Sequence, residues 1–199
     1  MPIIAKTSGG DRISILAPPG LQPAVCCDVK DQGMHENKFQ PGKKTHKISI
    51  HWLIGELIPQ TYTHPYTNER SDTGELVGKP MMVSRWFTNS LHEKASLRSF
   101  LRAWRGRDFT QEQLAGFDLE TLIGVRCALN ISHSQAESTG NWYANVDLAT
   151  LLPKGMTEVD VPADYVRFCD RKQDGEQPVN GDEQPPHTAD HGDEPETPF

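Results

Sequence analysis

Residues 173–199 hold only three apolar side chains, Val179, Ala189 and Phe199, in a run otherwise made of proline, glycine and polar or acidic residues. A stretch of that kind cannot bury enough surface to offset the entropy of ordering it. Any fold must therefore be built from the residues before it, a length suited to one domain with a modest core. The same tail sorts the charge. Residues 170–199 carry nine carboxylates against Arg171 and Lys172, which accounts for the whole formal charge of −7 and leaves residues 1–169 with 18 basic and 18 acidic side chains. The expected organisation is a flexible lead-in over 1–20, a folded domain over 21–169 and a disordered acidic tail over 170–199.

Several classes fall away on composition and motif. There is no run of 18 apolar residues, and Met1 to Lys6 lack the basic region and apolar stretch of a signal peptide, so a soluble intracellular protein with no membrane partner is expected. Cys26, Cys27, Cys127 and Cys169 form no C-x-x-C pair, and adjacent Cys26 and Cys27 point to opposite faces of a strand, which favours reduced structural thiols. The eight histidines show no ligand spacing, so no metal or other cofactor is expected. No phosphate-cradling Gly-Lys loop, G-x-S-x-G or paired acidic set is present, and the chain is not expected to be an enzyme.

Periodicity supplies the elements. Ala24 to Lys30 reads as a strand, and Thr45 to Leu57 alternates, with Ile48, Ile50, Trp52 and Ile54 on one face and Lys47, Ser49 and His51 on the other. Gln60 to Lys79 reads as a long loop and Met81 to Asn89 as the third strand. Ser90-Leu91-His92-Glu93 has the form of a capping box, followed by Leu97, Phe100, Leu101 and Trp104 at helical spacing and by Gly106 as a stop. Thr110-x-x-Gln113 repeats the capping signal, and Asp118 to Ile123 adds a turn. Val125 to His133 and Trp142 to Leu152 return to strand character around a polar loop. A mainly β fold with one main helix follows: a five-stranded OB-fold-like barrel with its helix between strands three and four.

Basic residues cluster in two zones. Lys38, Lys43, Lys44 and Lys47 stand without a carboxylate between Lys38 and Trp52, and Lys79 to Arg107 holds seven basic residues against Glu93 alone. The first zone is the loop between strands one and two, where cations would neutralise phosphates and release counterions. Single strands are also held by stacking bases on aromatic rings. The candidate nucleic-acid contacts are Lys38, Phe39, Lys43, Lys44, Lys47, His51, Arg85, Trp86, Trp142 and Tyr143. Trp52 and Trp104 fall in phase with apolar neighbours and are assigned to the core. The helix stripe Lys94, Arg98, Arg102 and Arg105 is left with three readings: direct contact with nucleic acid, steering its approach, or holding another subunit of a homo-oligomer.

The chain ends Asp193-Glu194-Pro195-Glu196-Thr197-Pro198-Phe199. A terminal ring and carboxylate flanked by acids suit a pocket with a basic rim, so Asp193, Glu194, Glu196, Pro198 and Phe199 are the candidate partner-binding residues. This end resembles the acidic tip of bacterial single-stranded DNA-binding proteins, which finish in Pro-Phe and recruit replication and repair enzymes. The body resembles a group of bacteriophage single-stranded DNA-binding proteins over Met1 to Lys6 and Ser90 to Phe117, through Ser-Leu-x-Glu-Lys-Ala-x-Leu-Arg, Ala-Trp-Arg-Gly-Arg and Leu-Ala-Gly-Phe-Asp, and at Leu-Pro-Lys-Gly-Met, 152–156. The resemblance implies a sequence-tolerant DNA-binding protein of phage replication or recombination, working in the cytoplasm of an infected bacterial host. The alternative is a protein-interaction module that captures a host enzyme without binding DNA; a small metal-dependent nuclease is a third reading.

Overall fold

The structure, a computed structural model, describes residues 15–37 and 41–171. Its strands are β1 (Gly20–Glu36), β2 (Lys44–Leu57), β3 (Thr61–Thr63), β4 (Arg70–Asp72), β5 (Pro80–Thr88), β6 (Arg126–Gln135) and β7 (Trp142–Thr150), with helices α1 (Ser96–Arg105) and α2 (Gln111–Ala115) between β5 and β6. The five long strands form one antiparallel sheet in the order β5-β2-β1-β6-β7, and β3 pairs with β4 as a separate hairpin. The mainly β reading of the sequence holds. No ladder joins the edge strands β5 and β7 among the described residues. Arg85 spans that seam instead: from β5 its guanidinium donates to the carbonyls of Val146, 2.8 Å, and Asp147, 2.6 Å, on β7.

Alternation along β2 decides where the core sits. Ile48, Ile50, Trp52 and Ile54 face inward with Met81, Val83 and Phe87 of β5 and Cys127, Leu129 and Ile131 of β6. Helix α1 closes this face with the apolar stripe seen in the sequence: Leu97, Phe100, Leu101 and Trp104 are all buried. The Trp52 ring lies 5.7 Å from both Phe100 and Trp104, so the two tryptophans assigned to the core are there. Gly106 ends the helix at φ 65°, a left-handed conformation that a side chain would strain.

Local signals held unevenly. The capping box at Thr110 and Gln113 forms in both directions, and Asp118 caps the short 3-10 turn Leu119–Leu122. The box at Ser90 does not form: the Ser90 hydroxyl accepts from His92 N–H in a turn, and α1 begins later behind Ala95, which has no side-chain cap. Burial of the Leu97-to-Trp104 stripe, rather than the cap, sets where this helix starts. Strand β1 runs beyond Ala24 to Lys30 in both directions: Gly20 to Pro23 pair with β6, and register shifts between Cys26 and Asp28 and between Asp31 and Gly33 let the other end bend and keep pairing with β2 into an arm. Within the expected long loop, Tyr62 is the one buried side chain of the β3–β4 hairpin, and its hydroxyl accepts from Leu16 N–H at 3.0 Å. With Leu16 and Ala17 buried, packing begins before residue 20.

Candidate nucleic-acid interface

On the outer face of the sheet, residues out of phase with the core fall into cross-strand rows: Asp28, His51 and Ser84; Lys30, Ser49 and Trp86; Gly33, Lys47 and Thr88. The sequence presents the β2 part of this face as polar and solvent-facing. Ser49 and His51 are instead fully buried. Residues 157–171 cross back over the sheet as a strap that covers His51, while Ser49 lies hydrogen-bonded between Gln32 and His51.

The strap is held in three ways. At its start, Arg126 pairs with Glu158 at 2.6 Å and with Asp160. In its middle, Val159, Val161 and Tyr165 pack on Val25, Cys27, Leu53 and Met82, a second apolar cluster that pushes the Cys27 thiol up to about 11 through burial. At its end, buried Asp28 accepts from Phe168 N–H at 2.6 Å and Arg167 Nε at 3.3 Å, besides its neighbour Val29 N–H at 2.9 Å. Arg167 also binds Glu120 through two guanidinium nitrogens, 2.9 and 3.2 Å, which holds the Glu120 carboxyl below its ordinary range. The Phe168 ring then lies on His51, 4.7 Å between centroids, with Arg171 4.1 Å and Lys30 5.4 Å from its own centre.

The strap divides the outer face. Its covered half contains Asp28, His51, Leu53 and Met82. The half toward the β1–β2 arm carries Lys30, Lys47 and Trp86. Lys47 Nζ donates to Thr88 Oγ1 at 2.7 Å, Gln32 donates to Ser49 Oγ at 2.8 Å, and His35 meets Trp86 edge-on at 5.3 Å. Trp86 is half-buried, and its Nε1 has no acceptor among the described residues. Exposed Lys43 and Lys44 enter from the turn, which Asn37 N–H closes on the Lys43 carbonyl at 2.7 Å. Below them Asp31 pairs with His46 at 2.6 Å.

Of the sequence candidates, Lys43, Lys44, Lys47 and Trp86 therefore share the open half. Lys38 and Phe39 lie outside the described residues, as do Asp193, Glu194, Glu196, Pro198 and Phe199 of the tail. His51 is sealed under Phe168. Arg85 is committed to the β5–β7 seam, with its guanidinium also 5.0 Å from the Phe87 ring. Trp142 stacks face to face on Tyr66 of the β3–β4 hairpin, 3.6 Å apart and 8° from parallel, which occupies one face of its ring. The same corner ties down the N-terminal segment: His133 Nε2 donates to the Ala17 carbonyl at 2.7 Å, so a neutral ring accepts from the Tyr66 hydroxyl through Nδ1, 2.9 Å away. Tyr143 is half-buried opposite Ser134, at the far end of β6–β7 from Thr150. In the helix stripe, Arg105 packs on Phe109 at 4.4 Å and Arg98 meets Asp108 at 3.5 Å, while Lys94 and Arg102 are exposed.

Lys30, Phe168 and Arg171 were not among the sequence candidates. Lys30 was legible as an out-of-phase cation on a strand. Phe168 had only a weak signal, the scattered apolar residues Val159, Val161, Tyr165 and Phe168 just before the acidic tail. Compared with protein-family models, curated proteins and solved structures, the chain matches none.

Proposed function

We propose that this chain is a sequence-tolerant single-stranded DNA-binding protein, not an enzyme, whose body is an OB-type sheet. The observation that carries the reading is the third-second-first-fourth-fifth order of the long strands with the helices between the third and fourth. That is the order of the partly open OB barrel, in which the face of strands two and three and the first and fourth interstrand loops take oligonucleotides. In this chain the corresponding surface is the β2–β5 face beside the arm. Lys43, Lys44 and Lys47 supply cations there and Trp86 supplies a ring, the two components that hold single strands without base readout. The acidic residues 193–199, with terminal Pro198 and Phe199, recruit replication or recombination proteins of the phage or its host. This part of the proposal rests on the resemblance of the chain's end.

A salt series tests it. Fluorescence anisotropy with labelled oligonucleotides should give tighter binding to single strands than to duplex, and log K against log[salt] should fall linearly with a slope of about −0.7 per phosphate held. Duplex preference, or no binding at low salt, refutes the proposal.

A further inference from the structure

The strap residues 157–171 raise a question that strand order does not answer: whether they are a lid that must leave before DNA binds, or part of the site. Three observations favour the second. Lifting the strap would expose Val25, Leu53 and Met82 to water and would uncover the Asp28 carboxylate, a charge that repels phosphate, on the very face that binds. The strap's own anchors are polar pairs made at both ends and an apolar cluster between them. Its last described residue, Arg171, is fixed rather than loose: Nε donates to the Val166 carbonyl at 3.1 Å, and the guanidinium lies 4.1 Å from the centre of the Phe168 ring. Lys30 reaches the same ring at 5.4 Å, so two cations from segments remote in sequence converge at the boundary of the open half.

We propose that the strap is a fixed wall of the nucleic-acid site: the strand runs only between Phe168 and the β1–β2 arm, and Arg171, seated on Phe168 beside Lys30, takes a phosphate at that wall. This rests on the single-strand-binding reading above. Phe168 is then a positioning residue, and Arg171 the contact.

The test uses the full chain and an oligothymidylate, with binding measured across a salt series. Arg171→Gln should reduce the magnitude of the slope by about 0.7, the single-strand increment for one phosphate, so that affinity is about fivefold weaker at 0.1 M salt and converges on that of the unaltered chain toward 1 M. Phe168→Ala should lower the slope by the same step, and Phe168→Tyr, which keeps the ring, should restore it. A loss from misfolding would instead reduce affinity without that salt signature, and thermal melting of each variant reads folding separately. Unchanged slopes in Arg171→Gln overturn the inference while leaving the binding reading intact. Tighter binding by Phe168→Ala also overturns it, since that is the behaviour of a lid. No single-strand binding by the unaltered chain overturns the reading itself, and the inference with it.

Discussion

Replacing Asp28 by Asn keeps the shape of a buried side chain and changes only what it can accept. Every hydrogen-bond partner found for this carboxylate is a donor: Val29 N–H and Arg167 Nε at Oδ1, Phe168 N–H at Oδ2. An amide has one acceptor oxygen, so whichever way it is turned its NH2 group opposes an N–H. One charge-assisted bond, worth about 1.5–3 kcal/mol, is lost and the others become bonds to a neutral acceptor. Arg167 keeps Glu120, so no cation is stranded, and the total for the strap end is about 3 kcal/mol. That corresponds to a roughly hundredfold rise in the population of the opened strap. Native-state hydrogen exchange followed by NMR should therefore show the Phe168 amide losing about two orders of magnitude of protection, while amides of β2 such as Ile50 keep theirs. Equal protection of the Phe168 amide in Asp28→Asn and the unaltered chain would refute the clamp.

Three further outcomes are expected. Trp104→Ala removes a fully buried ring packed on Trp52 and should cost about 3–5 kcal/mol, read as a shift in the urea midpoint. Trp86→Ala should weaken single-strand binding by about 1–3 kcal/mol with little change in salt slope, because it removes stacking and no charge, and Trp86→Phe should recover part of the loss. Arg167 holds the Glu120 carboxyl below its ordinary value, so this pair stabilises the strap at pH values above the unfolded glutamate pKa, about 4.3, and that contribution is lost as pH falls through the depressed folded value. Near-UV circular dichroism on acid titration should show the strap loosening in that window, and Glu120→Gln should reduce the dependence by the share of this pair, leaving that of Asp28, Glu158 and Asp160.

Much of the architecture was readable because its causes are local. Alternation from Thr45 to Leu57 places Trp52 inward, helical spacing from Leu97 to Trp104 places a stripe on the core, and the Thr110 box closes over three residues. The Ser90 box has the same form and fails, since a cap contributes about 1 kcal/mol and the burial of four large side chains contributes more. Half of the candidate site was legible for a similar reason. Lys43, Lys44 and Lys47 are charges on a turn and strand end, where few competing contacts exist. The engagement of Arg85 and Trp142 elsewhere was not legible, because a cation and a ring are good partners for anything nearby. Their neighbours, the β7 carbonyls and Tyr66, are far away in sequence.

From the sequence alone follow the faces of the strands, the core aromatic residues, the termination of the main helix at Gly106 and the concentration of charge after residue 170. Tertiary structure alone decided which of the polar residues on the outer face meet water. His51 carries no mark that sets it apart from Lys47; it is buried because Asp28 captures a strap whose Arg167 stands 139 residues further along the chain and whose Phe168 lies on the imidazole. Alternation is a property of consecutive residues and specifies that a strand has two faces. Whether the second face is covered depends on a long-range contact, made by a buried carboxylate and a segment too irregular to have a period.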